Sequence, residues 1–230
     1  MGSNKTTMAM IGAKGGVCTT TTALLAAKRL KMAAEPTVLV DLTGDLGVVL
    51  GTAPDLEGIA EALREGREAS PVRSHLIDVA PGVQLLPHGA GALPAELDEN
   101  WIDMWSQLHA LDASAIIDAG RGREALDRVA HSNARRVMVM TCCYQALHRG
   151  REIVPDVDDV VVVTDAQRAL GLADIEAALG RHADAVVAMD RSISRWADAG
   201  LILDRTAKTS QSLDVLMASG PAPRRREGVA

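Results

Sequence analysis

The sequence predicts an α/β protein in which a mostly parallel, twisted sheet carries helices on both faces. Three observations lead there. Short aliphatic runs (residues 8–11, 38–40, 115–117, 137–140 and 160–163) alternate with helix-like stretches along the chain, and regular β-α alternation builds parallel sheets. These runs lack polar alternation, the pattern of strands buried on both faces. Aromatic residues are scarce, with no Phe, one Tyr and three Trp, so the core must be assembled from Ala, Val, Leu, Ile and Met.

A chain of 230 residues is long enough to bury a sizeable core as one domain. We expect that domain over residues 8–218, with a flexible or tag-derived stretch before it (1–7) and a flexible basic tail after it (219–230). The formal charge of −6 argues against a surface coated for nucleic acid. Three cysteines, an odd number in no disulfide-like spacing, fit a reducing compartment. No apolar run approaches the roughly 20 residues that cross a bilayer, and no signal peptide precedes the first strand. The expectation is a cytoplasmic protein without a transmembrane segment.

Between the first apolar run and the first helix-like run lies Ala13-Lys14-Gly15-Gly16-Val17-Cys18-Thr19-Thr20-Thr21-Thr22. A strand, a Gly-rich turn and a helix N-terminus in succession make a phosphate-binding loop, because consecutive backbone N–H groups and the helix dipole face an anion. The helix that follows, about 20–33, is rich in good helix formers, and Pro36 closes the connection. Residues 37–41 read as a buried strand ending in Asp41. Ligands gather at the carboxyl ends of strands in an open α/β sheet, so Asp41 falls near the phosphates, and Asp45 reaches the same volume if the loop bends through Gly44.

Residues 47–54 then read as a loop and 56–65 as an amphipathic helix. Pro81-Gly82 separates two short runs, 75–79 and 83–87, and predicts a hairpin. Residues 94–111 read as a helix with Trp101 and Trp105 on one face, a pair suited to packing rather than to stacking on bases. Residues 113–120 form an aliphatic strand ending in Asp118 and followed by small residues, the Walker B arrangement, whose carboxylate orients Mg²⁺. A strand at 135–141 ends in Cys142-Cys143, which lacks a second Cys pair or a His at metal-ligand spacing. A strand (158–165), a helix (172–180), a strand (185–188) and a helix (193–200) complete the alternation.

These segments together resemble the ParA/MinD family of P-loop ATPases, whose deviant Walker A loop is written Lys-Gly-Gly-x-Gly-Lys-Thr-Thr. Lys14, Gly15, Gly16, Thr20 and Thr21 fall on that pattern, with Val17 at its free position. Cys18 stands where the family has its third glycine. Thr19 stands where it has the lysine that contacts the β- and γ-phosphates, and Thr43 where it has an aspartate associated with the attacking water. The C-terminal half is similar to MinD and to pilus-associated TadZ/CpaE-like relatives, with Thr164 and Asp165 in place of their purine-contacting Asn.

The resemblance implies ATP and Mg²⁺ as ligands, with the segment Arg121-Gly122-Arg123-Glu124 as the flexible region that senses the γ-phosphate. Lys14, Gly15, Gly16, Val17, Cys18, Thr19, Thr20 and Thr21 would surround the phosphates; Thr20, Asp41 and Asp118 would serve the metal; Asp41, Asp45 and Lys14 would act at the reacting phosphate. It also implies a nucleotide-dependent homodimer, with Lys14 reaching across to the other subunit's nucleotide, and an unidentified protein partner. The implied role is a dimerisation switch in positioning or partitioning, of a chromosome or plasmid, a division site, or a pilus or secretion machinery. Such a switch would be recruited to a pole, a membrane surface or the nucleoid. The replacements at Thr19 and Thr43 imply slow or absent hydrolysis. Two other readings stay open. One is a nucleotide-free pseudo-ATPase scaffold, since fold and function separate readily. The other is a protein that binds DNA non-specifically, with Arg135-Arg136, Arg149 to Arg151 and Arg224 to Arg226 as the basic face.

Overall fold

A computed structural model describes residues 5–66, 70–189, 191–205 and 208–218; the C-terminal tail at 219–230 and the first residues of the N-terminal stretch lie outside them. The elements run β1 (Thr7–Gly12), α1 (Thr19–Met32), β2 (Thr37–Asp41), α2 (Asp45–Val49), α3 (Ile59–Glu65), β3 (Ile77–Ala80), β4 (Val83–Leu86) and α4 (Glu99–His109). They continue with β5 (Ser114–Arg121), α5 (Gly122–Arg128), β6 (Arg135–Thr141), α6 (Tyr144–Ile153), β7 (Asp159–Thr164), α7 (Leu172–Leu179), β8 (Ala185–Ala188), α8 (Arg191–Asp198) and α9 (Asp214–Ala218).

The eight strands form one sheet in the order β3-β4-β2-β5-β1-β6-β7-β8. Every pair is parallel except the predicted hairpin, where β3 runs antiparallel to β4. The direction of winding reverses beside β1, which has β5 on one side and β6 on the other. That reversal opens a crevice at the carboxyl ends of the strands, where ligands of open α/β sheets sit. The central strands are buried throughout, with Met8 to Ile11, Ile116, Ile117 and Val137 to Met140 all fully covered, as their unbroken aliphatic runs require.

Trp101 and Trp105 are fully buried under α4, with ring centroids 6.1 Å apart and planes tilted by 32°. They supply bulk in a core that has little other aromatic volume. The basic last turn of α1 is tied to the C-terminal segment: Arg29 pairs with Asp214 at 2.6 Å, Lys31 with Asp204 at 3.1 Å, and Lys28 donates to the carbonyl of Leu203.

The elements differ from the sequence expectation in several places, each with a local cause. β1 begins at Thr7, and Thr6 donates its N–H to Ser114 Oγ, so ordered chain starts before residue 8. The expected loop at 47–51 begins instead inside a short helix, α2, because the Asp41 carboxylate gathers the amides of Thr43, Gly44 and Gly47 into a turn. Helix α4 starts at Glu99, five residues after Pro94, since Asp98 caps it by accepting from the amides of Asn100 and Trp101. Residues 121–124 fall within regular elements: β5 runs to Arg121 and α5 begins at Gly122. Arg135 does not belong to a basic face either. It is 7% exposed and ion-paired with the equally buried Asp159, while Arg151 donates to the carbonyl of Ala178. Residues 224–226 lie outside the described residues.

Candidate functional site

The loop between β1 and α1 is built around backbone donors. From Gly15 through Thr21, no N–H finds an acceptor among the described residues, and α1 has no side-chain cap at its start. A row of unsatisfied amides at a helix N-terminus carries partial positive charge, the physical basis of anion binding. The loop bends through two left-handed residues, Gly16 at φ 71° and Cys18 at φ 65°. Glycine adopts that conformation freely, whereas a residue with a Cβ pays roughly 1–2 kcal/mol. At Cys18 the chain thus adopts a backbone conformation that glycine would take without strain. Cys18→Gly is expected to raise stability by about 0.5–1 kcal/mol, the strain relieved less the added freedom of the unfolded chain. Urea denaturation measures it, and a loss of stability would show that thiol packing outweighs the strain.

The loop opens on a cavity of about 740 Å³ lined by residues that follow β1, β2, β4 and β5. Thr20, in the first turn of α1, donates its hydroxyl to Asp118 Oδ2 at 2.6 Å, and the Gly120 amide donates to Oδ1 at 3.3 Å. Asp118 is fully buried. Burial raises its pKa, and the charges of Asp41 and Asp45 push the same way; the hydrogen bonds from Thr20 and Gly120 pull it back, leaving it at about 6. A buried carboxylate with no cation beside it among the described residues, paired with a hydroxyl at a cavity wall, offers the hard oxygen set that a divalent cation prefers.

No family model matches the sequence, and no curated protein sequence does. Solved structures do match in three dimensions. A MinC:MinD cell division protein complex from Aquifex aeolicus contains a chain superimposing with a TM-score of 0.75 at 19% identity, covering 96% of this chain and 99% of that one. A ParA family ATPase from Chlorobium tepidum TLS gives 0.72 at 16% identity over 92% and 97%. The septum site-determining protein MinD from Pyrococcus horikoshii OT3, solved with Mg-ADP, gives 0.74 at 15% over 92% and 94%. The fold is that of the ParA and MinD ATPases.

Within the ParA/MinD fold, the positions marked by the sequence divide into two groups. Lys14, Gly15, Gly16, Cys18, Thr19, Thr20, Thr21, Asp45 and Asp118 all line the one cavity. Val17 is fully buried beneath the loop. Asp41 is 1% exposed and is not part of the cavity wall. Its Oδ1 accepts from the Thr43 amide and hydroxyl and from the Gly44 amide, and its Oδ2 accepts from the Gly47 amide at 3.0 Å. That carboxylate is engaged in shaping the start of α2. Thr43 turns its hydroxyl toward Asp41, while Thr19 Oγ1 packs back against Gly12, where a Cβ would lie only 2.5 Å from it. Lys14 Nζ donates to the carbonyl of Gly15 at 2.7 Å.

The cavity wall includes Arg121, the last residue of β5, from the segment that the family resemblance had marked. It also holds residues that sequence reading missed: His88 and Leu93 come from the loop after β4, and Arg128 from the end of α5. His88 and Leu93 reach the site through a loop, and Arg128 through the direction of α5, neither of which pattern alone places.

Proposed function

We propose that the protein binds a nucleoside triphosphate, ATP by the resemblance, with Mg²⁺, and uses it as a dimerisation signal in intracellular positioning, with little or no hydrolysis. The observation that carries this is the row of unpartnered amides from Gly15 through Thr21, whose residues, Val17 apart, line the cavity that also holds the Thr20–Asp118 pair. The residues present fit both ligands. The amides would hold the phosphates, and Thr20 and Asp118 would hold the metal, directly or through its waters. Bound Mg²⁺ would neutralise phosphate charge there. Asp41 supports the metal site from behind, by orienting the loop that carries Thr43 and Asp45.

Slow or absent hydrolysis follows from Thr19 and Thr43. Neither hydroxyl supplies the cation or the water-positioning carboxylate on which phosphoryl transfer depends. Lys14 is half-exposed at the rim, where it would neutralise phosphate on a facing subunit in a homodimer. The working unit is taken to be one domain over residues 8–218. Recruitment to a pole, a membrane surface or the nucleoid would be the task of a protein partner; among the described residues no helix is long and apolar enough to cross a membrane.

Calorimetry and light scattering test this together. Mg-ATP should bind more tightly than about 1 mM, and the scattering mass should double in its presence, a shift that Lys14→Ala removes while the fold persists. No heat at millimolar Mg-ATP in a folded sample would leave the nucleotide-free scaffold as the reading, a role to which the inward engagement of Asp41 is also suited.

A further inference from the structure

Among the described residues the cavity wall carries three permanent cations: Lys14, at the rim and bonded to the Gly15 carbonyl, Arg121 and Arg128. Three arginines follow Asp118. Arg123 is bound to Asp156 at 2.6 Å and donates to the carbonyl of Glu152. Arg128 lines the cavity but is bound to Glu124 at 2.5 Å. Arg121, the last residue of β5, makes no hydrogen bond or ion pair among the described residues. The sheet sets its position: a register shift between Met10 and Gly12 brings Gly12 opposite Arg121, at the level where β1 turns into the loop. From there the side chain reaches over the loop itself, since a Cβ on Gly15 would lie 2.5 Å from Arg121 Nη1.

Resting on the nucleotide reading above, we infer that Arg121 supplies to the bound phosphates the positive charge that Thr19 does not. A guanidinium stays charged at any working pH and presents paired N–H groups that match two phosphate oxygens. Its free state matters, because a paired arginine would have to break its ion pair before binding. The charge then arrives from β5, the strand that carries Asp118, rather than from α1. Phosphate-binding cation and metal-facing carboxylate thereby share one rigid strand, and the start of α1 contributes only amides and the Thr20 hydroxyl. The ligand class is a polyphosphate seated on the loop, with its terminal phosphates toward Arg121.

Calorimetry of Mg-ATP with the full chain tests this, using wild type, Arg121→Ala, Arg121→Lys and, as a control outside the cavity, Arg123→Ala. Loss of the guanidinium should weaken binding by roughly ten- to a hundredfold. Arg121→Lys should retain part of the affinity, and Arg123→Ala all of it. Thr19→Lys placed in the Arg121→Ala background should recover at least about tenfold, and should gain much less when Arg121 is present, because both cations would serve the same phosphates. Equal affinities for wild type and Arg121→Ala would overturn this inference and leave the nucleotide reading standing. The same gain from Thr19→Lys with and without Arg121 would overturn the replacement role. A wild-type protein that binds no Mg-ATP would end both.

Discussion

Asp118→Asn is expected to stabilise the nucleotide-free protein by about 2–3 kcal/mol near pH 8 and by almost nothing near pH 4. The carboxyl is fully buried and its pKa stands at about 6, raised from 3.8 by burial and by the neighbouring Asp41 and Asp45 charges. The native state therefore holds this proton between those two values while the unfolded chain has released it. Stability from this group is complete below the unfolded pKa and drains away as pH rises through the folded one. A shift of about two units corresponds to about 3 kcal/mol, and the weak bond from the Gly120 amide lost in the variant reduces the gain slightly. Asparagine keeps an acceptor for Thr20 and adds no charge. Burial also raises the pKa of Asp159, so the informative quantity is the difference between variant and wild-type urea midpoints across pH, in which that group cancels. A difference that does not change with pH would show that Asp118 is already neutral or solvated. The same substitution should weaken the Mg²⁺-dependent part of nucleotide affinity, a site kept at a cost in stability.

Arg135→Met is expected to destabilise the fold by about 3–5 kcal/mol, the usual result of stripping one partner from a buried ion pair. Arg135 opens β6 and Asp159 opens β7, 7% and 5% exposed. The guanidinium bonds Asp159 Oδ1 and also donates to the carbonyl of Leu216 at 2.8 Å, holding α9 against the sheet. Asp159 Oδ2 has no hydrogen-bond partner, so without the arginine the carboxylate would be buried with neither countercharge nor full hydrogen bonding. Even with Arg135 present, burial keeps the Asp159 pKa above the usual range. Lowering the pH should protonate it and return part of the stability of the single variant. The double variant Arg135→Met with Asp159→Leu should lie within about 1–2 kcal/mol of wild type, since an apolar pair of similar volume needs no desolvation. Chemical denaturation of the two singles and the double closes the cycle; additive losses would show that the pair is not coupled. Both residues sit at the amino ends of their strands, across the sheet from the loop, so ligand affinity should be untouched in samples that remain folded.

How much of this could be read from the sequence depended on how local the signal was. The unbroken aliphatic runs announced a parallel sheet because a strand covered on both faces has no polar side. Gly15-Gly16 before a helix announced the amide row because the donors belong to the backbone itself. Asp118 announced itself by standing near the end of a buried strand. Asp41 looked equivalent on the same grounds, yet the structure turns its carboxylate into the amides of Thr43, Gly44 and Gly47, away from the cavity. A strand's end fixes where a residue is, and the next turn decides which way its side chain is spent. Arg135 read as surface charge from its neighbour Arg136 and proved to be buried, because its counterion is 24 residues away on the adjacent strand.

The sequence by itself thus determined the layers, the glycine-rich loop at the start of α1 and the absence of a lysine at Thr19, all of which follow from residue type and short spacing. Only the tertiary structure decided which charges are free. Arg121, Arg123 and Arg128 look alike along the chain, but Asp156 and Glu124 claim two of them, and the pairing of β5 with β1 delivers the third to the loop. Ion pairing is a matter of distance in space, and distance in space is what a parallel sheet assembles from segments far apart in sequence.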